Sequence, residues 1–382
     1  MNDNPYEADL MQNVANYAAL SPLKFIRRTA LVYPNHTAQV HGNIRLSWLE
    51  TYERCCRLAS ALANIGIGAG DTVAIMAPNV PAIFEAHFGV PMAGAVLNAL
   101  NIRLDVDALI YILNHGEAKV LFSDREFSTV MSKVLKGIKR KIVVIDIDDP
   151  LFVPSAETPG ERLGQKDYET FLKEGDASFE WVLPENEWDS ISLNYTSRTT
   201  GKPKGVVYHH RGAHLLATNN SLAWEMPHHS VYLWTLPMFH CNGWCFPWTL
   251  AAIAGTSVTI RHVNAPRIIA AIGKNQVTHF CGAPIILNMI VEECSREKII
   301  LNTQVNVMTA AAPPPAQVLE AIEDLGFKVT HVYGLTETYG PAVISAWQPK
   351  WQKLSNNERA QIKSRQGVPY HELDSLIVAD PK

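Results

Sequence analysis

The chain has 382 residues, of which 47% are apolar and 18% are charged. Its 33 Lys and Arg residues are nearly balanced by 37 Asp and Glu residues, so the composition gives no electrostatic footprint for binding nucleic acid. The sequence contains no run of 18 or more apolar residues that would predict a membrane span, and its first residues lack the pattern of a secretory signal. We therefore expect a globular cytoplasmic protein, and the six cysteines fit free thiols in a reducing compartment.

Short β-branched runs alternate with longer helical stretches, a pattern typical of a parallel sheet covered by helices. A helix opened by proline is predicted over Ala82–Phe88, and acidic or amide caps predict helices over 108–113 and 267–272. The stretch 148–187 is rich in Pro, Gly and acidic residues, so we expect it to connect two sheet halves. The predicted strands are Val73–Met76, Lys119–Phe122, Ile142–Ile147, Ser190–Tyr195, Val231–Leu236, Ser257–Ile260, Val277–Cys281, Val305–Thr309 and Lys328–Tyr333.

A polar loop directly follows the predicted strand Ser190–Tyr195. Residues 195–205 read Tyr-Thr-Ser-Arg-Thr-Thr-Gly-Lys-Pro-Lys-Gly, whose backbone N–H groups, hydroxyls and ammonium groups can wrap a polyphosphate. Loops of this composition are usually polar for solvation alone, so a plain surface loop stays open at this point. A P-loop is excluded, because Pro203 follows Lys202 where a Ser or Thr should hold the metal.

Two further segments come after predicted strands, at the sheet edge where open α/β folds bind ligands. Residues 333–341 read Tyr-Gly-Leu-Thr-Glu-Thr-Tyr-Gly-Pro, in which Glu337 offers the hard oxygen that Mg²⁺ prefers and Thr336 can reach a phosphate. Residues 309–315 read Thr-Ala-Ala-Ala-Pro-Pro-Pro, whose small side chains let a flat ring approach the backbone. Each segment alone also fits an ordinary turn.

Two other features are interpreted as structural. The glycine-rich segment Gly66–Asp71 follows a helical pattern and precedes a strand, which is the reverse of a dinucleotide-binding loop, so it predicts a helix end and a turn. His240, Cys241 and Cys245 lack a second pair of ligands at the spacing of a structural zinc site, so packed side chains are favoured there.

The combination and order of these segments resembles the AMP-binding, acyl-adenylate-forming ligases. Residues 195–205 are similar to the family signature Tyr-Thr-Ser-Gly-Thr-Thr-Gly-x-Pro-Lys-Gly, and Tyr-Gly-Leu-Thr-Glu-Thr at 333–338 is similar to the second signature. Pro237–His240, followed by Gly243 and Trp244, resembles a third family segment in which the His lies between nucleotide and acyl group.

The resemblance covers essentially the whole chain and is strongest for bacterial short- and medium-chain acyl-CoA synthetases, including 3-methylmercaptopropionate-CoA ligases. It implies an α/β fold, the large N-terminal domain of adenylate-forming enzymes, with mostly parallel sheets flanked by helices. This domain would span residues 1–382, with two similar subdomains at roughly 1–185 and 186–382. The small C-terminal domain of the family is expected to be absent, and a homodimer stays open.

The resemblance also implies the chemistry: a carboxylate attacks ATP, pyrophosphate leaves, and coenzyme A captures the acyl-adenylate, with Mg²⁺ offsetting negative charge. Thr196 and Glu337 would hold Mg²⁺, and His240, Lys204, Thr336 and Glu337 would be the catalytic residues. The nucleotide would be bound by Thr196, Ser197, Thr199, Thr200, Gly201, Lys204, Ala311, Ala312, His331, Val332, Tyr333 and Thr336. The acid would be bound by His240, Trp244, Trp234 and Gly282.

One residue departs from the family signature within these segments. Arg198 stands where the signature has glycine, and its cation and Cβ are expected to weaken or alter the handling of ATP. The leading interpretation is an ATP-dependent ligase that converts a short- or medium-chain carboxylic acid to its acyl-adenylate and then its acyl-CoA, incompletely in this chain. The alternative, from another class, is a non-catalytic remnant that binds nucleotide or acyl ligand.

Overall fold

The computed structural model describes residues 4–6, 8–196, 202–301, 303–310 and 315–380. The strands are β1 (Thr37–His41), β2 (Ile44–Ser47), β3 (Thr72–Met76), β4 (Val96–Ala99), β5 (Ala118–Asp124), β6 (Val143–Ile147), β7 (Lys166–Asp167), β8 (Ser190–Tyr195), β9 (Gly205–His209), β10 (Val231–Trp234), β11 (Thr256–Thr259), β12 (His279–Cys281), β13 (Val305–Thr309), β14 (Phe327–Leu335), β15 (Gly340–Ile344) and β16 (Val368–Pro369).

Helices lie between most of these strands. They are α1 (Leu23–Val32), α2 (Trp48–Asn64), α3 (Pro81–Met92), α4 (Val106–His115), α5 (Ser128–Lys136), α6 (Tyr168–Lys173), α7 (His210–Ala223), α8 (Cys241–Trp244), α9 (Phe246–Ala252), α10 (Ala265–Asn275), α11 (Pro284–Glu297), α12 (Ala316–Asp324) and α13 (Asn356–Lys363). Single 3₁₀ turns occur at Arg125–Phe127, Thr336–Thr338 and Pro349–Lys353. Within the described residues, none of these helices combines the length and apolar character that crossing a membrane requires.

The described strands form two sheets. One has seven strands in the order β7-β6-β5-β3-β4-β8-β9, parallel except for the antiparallel hairpin β8–β9. The other has nine strands in the order β16-β15-β14-β13-β12-β10-β11-β1-β2, with a parallel centre and antiparallel pairs at both edges. Both sheets are flanked by helices, which confirms the expected α/β class and the mostly parallel sheets.

The sequence patterns find most central strands but not the assignment of strands to sheets. The runs Ser190–Tyr195 and Val305–Thr309 match β8 and β13 to the residue. The segment 148–187 contains β7 and α6 and joins β6 to β8, which lie in the same sheet, so it does not connect two sheets as expected. Moreover, β1 and β2 belong to the nine-stranded sheet, so the two sheets do not divide the chain at residue 185.

Helix α3 is buried on all sides. Pro81 occupies its first turn, where a missing N–H costs nothing, and every residue from Ala82 to Met92 is buried. Such a helix can carry polar side chains only if other elements supply their partners. Glu85 therefore accepts hydrogen bonds from Arg54 of α2 (2.7 Å) and Tyr168 of α6 (2.9 Å).

A second buried charge cluster joins the two sheets. Arg261, just after β11 of the nine-stranded sheet, donates to Asp124 at the end of β5 (2.5 Å) and to Asp149 just after β6 (2.6 Å). His41 at the end of β1 lies 3.0 Å from the same Asp149 carboxylate. Burial opposes the charged form of Asp149, but hydrogen bonds from His41 and Arg261 bring its pKa down to about 2. The Arg261 guanidinium thus neutralises the carboxylates of Asp124, which ends β5, and Asp149, which follows the adjacent strand β6.

Replacing Arg261 should show how much this cluster contributes. Arg261→Met leaves Asp124 and Asp149 buried without their cation, so we expect the free energy of unfolding to fall by about 3–5 kcal/mol, measured by denaturant unfolding. Arg296→Met is the matched control, because the Arg296 side chain is 67% exposed and pairs with Glu293 at the surface. Equal, small effects of both substitutions would contradict a stabilising role for the cluster.

Candidate active site

The predicted phosphate loop is the connection of a β-hairpin. β8 and β9 pair from Ser190 opposite His209 to Tyr195 opposite Gly205, and the Thr196 N–H donates to the Lys204 carbonyl (3.1 Å). The chain therefore leaves the sheet and returns within nine residues. Residues 197–201 lie outside the described part of the structure, and so do the predicted site residues Ser197, Thr199, Thr200 and Gly201, together with Arg198.

The described residues on either side of this loop provide cationic donors that could bind an anion. They also provide a hydroxyl oxygen. Lys204 is exposed at the start of β9, and Lys202 lies with its ammonium 5.5 Å from the centre of the Tyr111 ring. The Thr196 hydroxyl is buried and has no hydrogen-bond partner among the described residues. A buried hydroxyl without a partner is costly, which fits a group that bonds to a ligand or a metal-bound oxygen.

The second predicted segment forms a tight loop between β14 and β15. Thr336–Thr338 make a 3₁₀ turn, and Tyr339 follows with φ = 67°. Glu337 is exposed at the tip of this loop. Exposure leaves both carboxylate oxygens available to a hard cation.

Two tyrosines fasten this loop to the β8–β9 hairpin. The Tyr208 hydroxyl on β9 donates to the Thr336 carbonyl (2.6 Å), and the His209 N–H donates to the Tyr339 hydroxyl (2.9 Å). The two rings stack with centroids 3.9 Å apart and an angle of 18°. The sequence patterns assign no role to either tyrosine, although Tyr339 directly follows the second signature at 333–338. The contacts fix the Thr336–Glu337 turn against the strand that leaves the phosphate loop.

A narrow pocket between the sheets brings several predicted residues together. His240 and Thr336 line it with Tyr195, and its other walls come from Asn98, Ala99, Leu100, Asn101, Leu104, Ile112, Phe239 and Cys241. Burial, together with the cation of Arg103, lowers the pKa of His240, so its imidazole is neutral at pH 7. Burial likewise raises the pKa of the Cys241 thiol, which disfavours the nucleophilic thiolate form of this cysteine.

The predicted acid-binding residues Trp244, Trp234 and Gly282 are not among the residues that line this pocket. Trp244 ends α8 and is 8% exposed, whereas Trp234 ends β10 and is fully buried. A Cβ at Gly243 would lie 2.8 Å from the Trp234 ring, so α8 rests directly on that indole. Trp234 also donates from Nε1 to the Ser257 hydroxyl (2.7 Å), and this bond holds the ring within the core.

The remaining predicted residues lie at the ends of the parallel strands of the nine-stranded sheet. His331 and Val332 of β14 are buried, Tyr333 is 40% exposed, and the Nε2 atom of His331 is buried without a partner among the described residues. Gly282, just after β12, donates its N–H to the Met308 carbonyl (3.0 Å). Ala311 and Ala312 lie outside the described residues.

No group of three or more His, Cys, Asp or Glu side chains suited to a metal ion occurs in the parts of the chain that the structure describes. The hard oxygens that could meet a magnesium ion are instead the Thr196 hydroxyl and the Glu337 carboxylate, which lie on the two loops that the tyrosine contacts hold together.

Residues 26–382 match the family described as AMP-binding enzyme. The chain is 48% identical over 381 residues to the acetate/butyrate–CoA ligase AAE7, peroxisomal, of Arabidopsis thaliana, covering 97% of this chain and 67% of that protein. It is also 48% identical over 382 residues to the acetate–CoA ligase CCL3 of Humulus lupulus, covering 98% of this chain and 67% of that protein. The chain thus spans about two thirds of the length of these relatives.

Solved structures share the fold at lower identity. The N-terminal domain of FACL13 from Mycobacterium tuberculosis superimposes with a TM-score of 0.76 at 21% identity, covering 92% of this chain and 83% of that one. The anthranilate CoA ligase AuaEII in complex with anthranoyl-AMP gives a TM-score of 0.80 at 18% identity, covering 94% of this chain and 66% of that one. These similarities confirm the expected fold of the large N-terminal domain.

The close approach of α7 to Tyr339 can be tested with a pair of glycine substitutions. A Cβ at Gly212 would lie 2.5 Å from the Tyr339 ring, which cannot move away because it stacks on Tyr208 and accepts the His209 N–H. Gly212→Ala should therefore lower the free energy of unfolding by about 1–3 kcal/mol in denaturant titrations.

Gly273→Ala is the matched control, because Gly273 is also helical but a Cβ there meets no atom within 4 Å. It should leave the free energy of unfolding unchanged or raise it by up to about 1 kcal/mol. If Gly212→Ala were as harmless as Gly273→Ala, the loop would not be held as described.

Proposed function

The chain belongs to the AMP-binding enzyme family, and on that premise we propose that it activates a short- or medium-chain carboxylic acid with ATP, as an AMP-forming acyl-CoA ligase does. The observation that carries the proposal is the pocket in which His240, Thr336 and Tyr195 meet at the mouth of the predicted phosphate loop. Relatives named for acetate, butyrate and 2-methylpropanoate support a small aliphatic acid, whereas two others are named for trans-cinnamate and benzoate.

The proposed reaction requires one anion to attack another. A carboxylate oxygen of the acid forms a bond to the α-phosphorus of ATP, and the bond to the departing pyrophosphate breaks. Lys204 and the backbone N–H groups of the loop would offset the phosphate charge as the attack proceeds. Thr336 would contact the AMP phosphate, and the Tyr208 hydrogen bond to its carbonyl keeps its turn in position.

The acid and the adenine would occupy opposite sides of this phosphate. His240, neutral and buried, would lie between nucleotide and acyl group, and Trp244, Trp234 and Gly282 would bound the acyl group. His331, Val332 and Tyr333 would bound the adenine, together with Ala311 and Ala312, while Ser197, Thr199, Thr200 and Gly201 would line the phosphates. The exposed fraction of Tyr333 and the His331 Nε2 atom, which has no partner among the described residues, support a ligand against this strand.

The donors available suit magnesium. Thr196 and Glu337 would hold the ion, which when bound would supply positive charge to the phosphates. Thr196 is suited to this because its buried hydroxyl has no partner among the described residues, and Glu337 because its carboxylate is exposed on the loop that Tyr208 and Tyr339 fasten.

We propose a cytoplasmic location for this activity, although several plant relatives are named as peroxisomal.

A panel of acids separates this proposal from the non-catalytic alternative. With ATP, Mg²⁺ and hydroxylamine, we expect acyl-hydroxamate from acetate, propanoate or butanoate, and less from longer acids, because the pocket lined by His240 is narrow. Glu337→Gln is the control and should lower the yield by at least about tenfold, since it removes a charge from the metal site. A chain that gives no hydroxamate with any acid would instead be a binding remnant.

The departure at Arg198 gives a second test. Glycine in the family signature allows a backbone shape that a Cβ disfavours, and the cation of an arginine at this position would compete for the space of the phosphates. Arg198→Gly should therefore raise the rate of ATP–pyrophosphate exchange several-fold. Arg140→Gly is the matched control, because Arg140 is exposed in a loop where it pairs with Glu117. An unchanged exchange rate in Arg198→Gly would refute the idea that Arg198 impairs ATP handling.

A further inference from the structure

The strongest unexplained feature is the buried side-chain amide of Asn242. Its Oδ1 accepts from the Ser192 hydroxyl (2.7 Å) and from Nδ2 of Asn194 (2.5 Å), both on β8. Its Nδ2 lies 3.2 Å from Nε2 of His87 on the buried helix α3. One amide thus bonds to two elements at once, and the residue is completely inaccessible to solvent.

The hydrogen positions in this network are determined by its partners. Nδ1 of His87 lies 2.6 Å from the Ile83 carbonyl, which can only accept, so Nδ1 carries the proton. Burial lowers the pKa of His87 to about 4, so the ring is neutral and Nε2 presents a lone pair to the Asn242 amide. The amide oxygen must therefore face β8, and Asn242 has one orientation.

Asn242 sits in a backbone conformation that needs such support. The five residues Cys241–Cys245 all have positive φ angles, between 44° and 63°, so α8 is a left-handed turn in which only Gly243 is glycine. L residues avoid this region, and a run of them persists only where the surroundings impose it. The other end of the turn is held by Asn220, whose Nδ2 donates to the Trp244 carbonyl (2.8 Å).

The elements joined by Asn242 are the two halves of the site. The left-handed turn follows His240 directly and contains Trp244, the residues proposed to contact the acid. Strand β8 runs directly into Thr196 and the predicted phosphate loop. The Asn242 amide therefore determines the distance between the acid-binding turn and the strand that presents the nucleotide-binding loop.

We propose that Asn242 is a positioning residue that aligns the acid-binding turn with the phosphate loop, so that the acyl and nucleotide halves of an acyl-adenylate are recognised together. This role rests on the proposed function. It predicts that loss of the amide weakens binding of an acyl-adenylate more than binding of AMP, because AMP lacks the acyl group that Trp244 on the turn is proposed to contact. A residue that served only global stability would weaken both ligands alike.

The test replaces Asn242 by glycine, which accepts the left-handed conformation and removes only the side chain. Calorimetry on the full chain would measure the affinities for AMP and for butanoyl-sulfamoyl-adenosine, a non-hydrolysable acyl-adenylate analogue. Asn242→Gly should bind the analogue at least about tenfold more weakly while its affinity for AMP stays within about twofold. Gln276→Gly is the matched control, because Gln276 is left-handed too (φ = 53°) but caps α10 at the surface, and both affinities should be unchanged.

Equal losses for both ligands, or no loss for either, would overturn the role of Asn242. If Asn242→Gly does not fold, Ser192→Ala removes one donor to the same amide and should weaken the analogue about threefold but not AMP; an unchanged analogue affinity would overturn the proposal. Failure of the unsubstituted chain to bind either ligand would instead overturn the proposed function itself, so the two failures are distinguishable.

Discussion

A helix that is buried on every face must have its polar side chains satisfied by its neighbours, and much of this structure follows from that constraint on α3. Glu85 draws Arg54 of α2 and Tyr168 of α6 to one side of the helix. Gln39 of β1, which belongs to the nine-stranded sheet, bonds to the same carboxylate (3.2 Å). Two residues further along, His87 receives the amide of Asn242. Helix α3 therefore connects helices α2 and α6, strand β1 of the nine-stranded sheet and the acid-binding turn through hydrogen bonds.

The active-site loops depend on side chains rather than on regular structure for their position. The Thr336–Tyr339 turn is held by the stacked rings of Tyr208 and Tyr339, each of which also makes a hydrogen bond through its hydroxyl. The left-handed turn is held by hydrogen bonds that involve the side chains of Asn242, His87 and Asn220. Irregular backbone in the interior cannot satisfy its own polar groups, so side-chain amides and hydroxyls must do it. This explains why residues that touch no proposed ligand, such as Tyr208 and Asn242, are as closely packed as those that do.

Local patterns predicted the fold well where the structure is local. The caps Asp105 and Asn264 begin α4 and α10 as expected, because N-capping requires only a side chain and the N–H groups within the next turn. The placement of β1 and β2 in the distant sheet could not be predicted, because β1 pairs with β11 through backbone bonds that carry no sequence signal. Within the site, the signature residues were recognisable, whereas Asn242 was marked only by Asn-Gly, a pair that favours left-handed backbone. The contacts from His87 and Ser192 join segments far apart in the sequence and have no pattern of their own.

The pairing of β1 with β11 has a consequence for the synthesis of the chain. His41 and its partner Thr259 are 218 residues apart, so the ribosome must add most of the protein before β1 acquires its neighbour. At typical elongation speeds this interval is on the order of 10–40 s. During that time the β1–β2 ribbon displays an unpaired edge, while the seven-stranded sheet can already be completed by the arrival of β9. The nascent protein thus completes its second sheet around a strand that was synthesised much earlier.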